Sequence, residues 1–101
     1  MVKITKNYED GSPSESELKA KLASEGLAAE TWSADAGTVK DPETAAHNRT
    51  ICVVSGMVRF TLPGTPQEYA DLMSGDRLDI TSGTPHGMMV GPAGVTVVEG
   101  K

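Results

Sequence analysis

Gly75-Asp76-Arg77-Leu78-Asp79-Ile80-Thr81-Ser82-Gly83-Thr84-Pro85-His86 is the stretch that decides the fold of this chain. A Gly-Asp turn opens it, and a short strand around Leu78 and Ile80 follows. A Gly-x-Pro turn closes it, and His86 stands at the entry to the next strand. Asp76 reads as a turn residue whose carboxylate bonds backbone amides.

Downstream the pattern continues. His86–Val90 and Val95–Glu99 read as strands, divided by Gly91-Pro92-Ala93-Gly94, a turn and not a phosphate cradle. Upstream, Leu62-Pro63-Gly64-Thr65-Pro66 is a loop, and Glu68–Met73 leads into the Gly-Asp turn. Met57–Leu62 sets Val58, Phe60 and Leu62 against Met57, Arg59 and Thr61, the alternation of a half-buried strand. Thr50–Val54 is β-branched and apolar, so it reads as a strand buried on both faces, with a hairpin-like bend expected at Gly56. Thr31–Ser33 is a short strand around Trp32, ended by a turn at Ala36-Gly37. Many short strands with Gly/Pro punctuation specify an all-β barrel or sandwich.

The first residues differ. Ser12 as N-cap, Pro13 in the first turn and Glu15 completing a capping box predict a helix over about 13–25, stopped at Gly26. Leu18 and Leu22 share one face and must pack on the rest of the domain, with Leu27 joining them.

With 101 residues the chain is one domain. Its net charge of −5 and scattered Lys and Arg argue against a nucleic-acid partner. Cys52 is the only cysteine, which excludes an internal disulfide and a Cys-based zinc site and reads as a small buried hydrophobe. No apolar run is long enough to span a membrane and the N-terminus is too polar for a signal peptide, so a cytoplasmic protein is the expectation.

The elements Gly26-Leu27, Trp32, Gly37, Ile51-Cys52-Val53-Val54-Ser55-Gly56-Met57-Val58-Arg59-Phe60, Gly75–Ile80 and Gly83-Thr84-Pro85-His86-Gly87 together resemble a small single-domain cupin over residues 26–99. The resemblance implies an all-β, cupin-type double-stranded β-helix (jelly-roll) barrel with one short N-terminal α-helix. Residues 1–27 would form the extension and 28–101 the barrel. It also implies that His86 stands where metal-binding cupins place a ligand, and that the chain forms a homodimer. The remaining ligands of such a site fall, by alignment on Gly56, at Glu43, Ala45 and Arg49, so the first metal-binding motif is degenerate.

An alternative set follows from strand parity. Positions 43, 45, 47 and 49 share a face if extended, which would gather Glu43, His47 and His86 into a carboxylate-plus-two-His metal site for Zn, Ni, Mn or Fe. Arg49 opposes that set, because its guanidinium pairs naturally with Glu43. Trp32 reads as a wall of the barrel or its cavity, and Met88 and Val90, at the parity of His86, as cavity lining. Met57, Met73 and Met89 read as core or interface residues.

The leading functional expectation is therefore a barrel that binds a small polar or anionic metabolite without metal-dependent turnover. Arg49, His86, His47, Glu43, Met88 and Trp32 form its site, with Arg49 supplying the charge. Two other readings stand beside it: a metal-dependent dioxygenase or isomerase using Glu43, His47 and His86, and a structural or partner-binding barrel filled by its own side chains.

Overall fold

The computed structural model describes residues 2–6, 8 and 13–101. Its elements are β1 (Val2–Thr5), α1 (Glu15–Ser24), β2 (Ala29–Ala34), β3 (Val39–Glu43), β4 (Arg49–Leu62), β5 (Glu68–Met73), β6 (Arg77–Ile80) and β7 (His86–Gly100). Every strand pairing is antiparallel, and β4 and β7 lie side by side at the centre.

Each of these two long strands serves two sheet faces. The first half of β4 pairs with β6 and with the second half of β7, which also carries β2, while β1 extends this face beyond β6. The second half of β4 pairs with β5 and with the first half of β7, which also carries β3.

The crossing from one face to the other sits where two bends had been expected. β4 does not turn back at Gly56; it runs on through two register shifts, one between Val53 and Ser55 and one between Gly56 and Val58. Opposite, Gly91–Gly94 is not a strand break either, because these four residues stand against Met57 alone and β7 continues. Bulges of this kind bend a strand and let it switch sheets.

They also switch parity. Ile51 and Val53 point inward before the bulge, and Val58, Phe60 and Leu62 after it. In β7 the inward set changes from Met88 and Val90 to Val95 and Val97. Gly56 sits at φ 81°, and a Cβ there would lie 2.0 Å from the carbonyl oxygen of Gly94. Only glycine serves at that crossing.

The inward residues of both faces, joined by Leu72, Leu78 and Ile80, form one buried cluster. A second cluster lies outside the first face, where Leu18 and Leu22 of α1 pack on Cys52, Val98 and Leu27. The apolar run 50–54 is thus buried on both sides as expected, inside by the core and outside by the helix. Cys52 is 1% exposed, and burial pushes its thiol up to about 12.

The helix begins two residues later than the capping pattern suggested. Ser14 is the N-cap and its hydroxyl accepts from the Glu17 N–H, whereas Ser12 lies outside the described residues. Its end is a Schellman motif. The Leu27 N–H bonds Leu22 O and the Gly26 N–H bonds Ala23 O, with Gly26 at φ 83° and Leu27 packed by Leu22.

Two details differ from expectation or add to it, and a third agrees with it. β1 joins the sheet through Val2↔Ile80 and Ile4↔Leu78, with Val2 and Ile4 packed on the core. Met73 and Met89 are exposed and not part of the core, since their parity points them outward. Asp76 behaves as the turn residue anticipated, accepting from the Met73 N–H at 2.9 Å. No helix among the described residues is long and apolar enough to cross a membrane.

Candidate functional site

A cavity of about 780 Å³ opens at the end of the barrel where β4 and β7 begin. That volume suits a small-molecule site. Below it the barrel interior is filled by the buried apolar cluster, so the cavity is an opening at one end. Trp32, Glu43, His47, Arg49, His86 and Met88 all line it, so the structure brings the six residues singled out from the sequence to one cavity.

Strand parity explains who reaches the interior. Arg49 is one inward position before Ile51, and Ile51 is the register partner of Glu99. Glu99 continues the inward parity of Val95 and Val97, while His86 begins that of Met88 and Val90. Trp32, opposite Val97, comes in from β2. Phe60 and Met88, register partners across β4 and β7, give the cavity an apolar wall.

These side chains are joined in one polar network. The Arg49 guanidinium donates from Nε to Glu99 Oε2 at 2.6 Å and from Nη2 to Glu99 Oε1 at 2.7 Å, a two-pronged ion pair. Trp32 Nε1 donates to the same Oε1 at 2.9 Å. On its other side Arg49 Nη1 lies 2.8 Å from His86 Nε2, and His86 Nδ1 lies 2.9 Å from the Thr84 carbonyl oxygen.

A carbonyl only accepts, so Nδ1 carries the proton and Nε2 receives the Arg49 N–H. His86 is buried at 4% exposure and Glu99 at 7%. Burial by itself would raise the Glu99 carboxyl. The bonds from Arg49, its charge and the Trp32 N–H outweigh burial and hold it below the ordinary carboxylate value.

The partner of Arg49 is therefore Glu99 and not Glu43, which corrects the expected pairing. Glu43 is exposed on β3, where it is the register partner of His86, and acts on Arg49 only through its charge. The extended parity expected over 43–49 also fails. β3 ends at Glu43, and the following segment bends, tied down by Gly83 N–H to Ala45 O and Ser82 N–H to Asn48 Oδ1. His47 is exposed at the rim.

Glu43, His47 and His86 consequently do not form a metal set, and among the described residues no three His, Cys, Asp or Glu side chains converge to hold an ion. The donor chemistry gives the reason. The one well-placed imidazole lone pair, on His86 Nε2, is already bonded to a cation. The residues present do not fit the divalent metal that the fold suggests.

Glu99 is the site residue that the sequence reading missed. Its signal was a carboxylate at the inward parity of an otherwise apolar run, Val95-Thr96-Val97-Val98-Glu99.

No protein-family model matches the chain, and no curated protein matches it. Solved structures do. The DMSP lyase DddQ from Ruegeria pomeroyi DSS-3 is 22% identical, over 72% of this chain and 36% of its own, with a TM-score of 0.64. An uncharacterised conserved protein with a double-stranded β-helix domain from Klebsiella pneumoniae is 25% identical, over 73% of this chain and 64% of its own, with a TM-score of 0.59. A DUF861 family protein from Thermotoga maritima is 19% identical, over 98% of this chain and 97% of its own, with a TM-score of 0.64. The chain thus spans less than two thirds of the first two. The architecture they share with it is the double-stranded β-helix.

Proposed function

We propose that this chain, a small cupin domain, binds a small polar metabolite in its barrel without metal-dependent turnover. The observation that carries the reading is the network at the cavity floor, in which Arg49 is bonded to both Glu99 and His86. A floor so connected is a preorganised set of polar groups beneath the apolar Phe60 and Met88 wall, the composition of a small-molecule pocket.

Charge refines the ligand class. Arg49 is neutralised by Glu99, so it no longer recommends an anion. Around it the lining carries Glu30, Asp35, Asp41 and Glu43 against Lys40 and Lys101. The surplus of carboxylates favours a neutral or cationic ligand, such as a polyol, an amide or an amine, over a carboxylate or phosphate. The lyase activity named for DddQ is not transferred, since the donor set here argues for binding.

Trp32 is the only tryptophan and lines the cavity, so its fluorescence reports occupancy directly. A panel of polyols, amines, amides and organic acids is titrated against the protein. Saturable change in Trp32 emission, with a matching rise in melting temperature for neutral or cationic members, is the expected result. Preference for the acids would overturn the charge argument, and silence across the panel would overturn the binding reading. A homodimer is part of this proposal, and a monomer mass in sedimentation velocity would remove it.

A further inference from the structure

We infer that Arg49 is a built-in replacement for a metal ion: its guanidinium occupies the point where His86 and Glu99 converge and keeps divalent cations out of the barrel. The inference rests on the metal-free reading above and supplies its cause. A single guanidinium touches Glu99 at 2.6 and 2.7 Å and His86 Nε2 at 2.8 Å. The carboxylate and the imidazole lone pair therefore face one shared volume, and the guanidinium fills it.

Two outer bonds beside that volume are of the kind that orient metal ligands. His86 Nδ1–H is fixed on the Thr84 carbonyl, the outer bond that sets the tautomer of a metal-ligating histidine. Glu99 is oriented by the Trp32 N–H, and both groups are more than nine-tenths buried. Imidazole nitrogen with carboxylate oxygen is a donor pair that suits zinc and its neighbours. What occupies the centre is a side chain with a permanent positive charge, which takes the lone pair and repels a second cation.

Removing the guanidinium should expose a nascent metal site made of His86 and Glu99, open on the cavity side. Zinc binding to the full chain is measured by calorimetry for the wild type, Arg49→Ala and Arg49→His, the last adding a third ligand. Both variants are expected to bind Zn²⁺ at least ten-fold more tightly than the wild type. The gain should vanish when His86→Ala or Glu99→Gln is added. In the wild type, the imidazole nitrogen resonances of His86 should show a protonated Nδ1 and a bare Nε2, unmoved by excess Zn²⁺.

Folded variants that bind zinc no better than the wild type would overturn this inference and leave the metabolite-binding reading standing. A wild-type Nε2 resonance that moves with stoichiometric Zn²⁺ would overturn both. Should neither variant fold, that wild-type titration decides: an unmoved Nε2 supports the guanidinium as occupant and a moved one refutes it.

Discussion

Among single residues, Glu99 has the widest consequences. Its carboxyl lies below its ordinary value of 4.5 in the folded chain, because Arg49 and Trp32 outweigh the effect of burial. A depressed folded value means that the ionised group stabilises the fold in full above that ordinary value. The contribution is then lost as pH falls through the folded value. Glu99→Gln should therefore flatten the loss of urea stability on acidification below about pH 4.5. At neutral pH the same substitution should cost about 3 kcal/mol, the lower end for a broken buried pair, because Arg49 remains partly exposed. Equal acid sensitivity in wild type and variant would mean that Glu99 is not held ionised by Arg49. Arg49 and His86 were legible from the cupin resemblance and Met88 from its parity with His86, whereas Glu43 and His47 were named on a parity that the bend after β3 breaks. Glu99 was not legible, because a carboxylate beside Gly100-Lys101 looks like one more solvated charge until the strand is known to run inward to its end.

Elements were readable to the extent that their pattern was local. The helix declared itself through Leu18, Leu22 and Gly26, and only its cap was displaced, since Ser12 and Ser14 offer the same chemistry two residues apart. β3 carried almost no apolar signal, its one large hydrophobe Val39 being exposed like the rest of the strand, and it joins the sheet through its ladder to β7. The continuity of β4 and β7 was hidden by glycines that ordinarily mark turns. The change of inward parity from Val53 to Val58, and from Val90 to Val95, was present in the sequence as evidence of a bulge. The bulge makes a sharp prediction. Gly56→Ala places a methyl group 2.0 Å from Gly94 O at φ 81°, combining overpacking with backbone strain. It should lower the unfolding free energy by about 3 kcal/mol or more in urea titration. Gly64→Ala, also at positive φ but with open space around it, is the control and should cost only about 1 kcal/mol. If the two variants were equally mild, the close approach of β4 to β7 would be refuted.

Across the whole molecule, β7 is the strand on which the barrel depends. It pairs with β2, β3 and β4, and it carries His86, Met88 and Glu99 into the cavity. Its partners are far away in sequence: Gly100 meets Thr50 and Ala29, and Met89 meets Val39 and Arg59. A topology dominated by such distant pairings folds slowly, on the order of milliseconds to seconds. During synthesis, β4, β5 and β6 can pair as they emerge, but β2 and β3 have no strand to join until residues 86–100 have left the ribosome. Nascent chains stalled before His86 should therefore be cut rapidly by a protease, and those released beyond Gly100 should resist it. Protection appearing before β7 emerges would disprove this order. The apolar residues of β4 meanwhile wait uncovered until β7 has emerged. Chaperone demand and the choice of fusion terminus thus follow from which strand the barrel places at its centre.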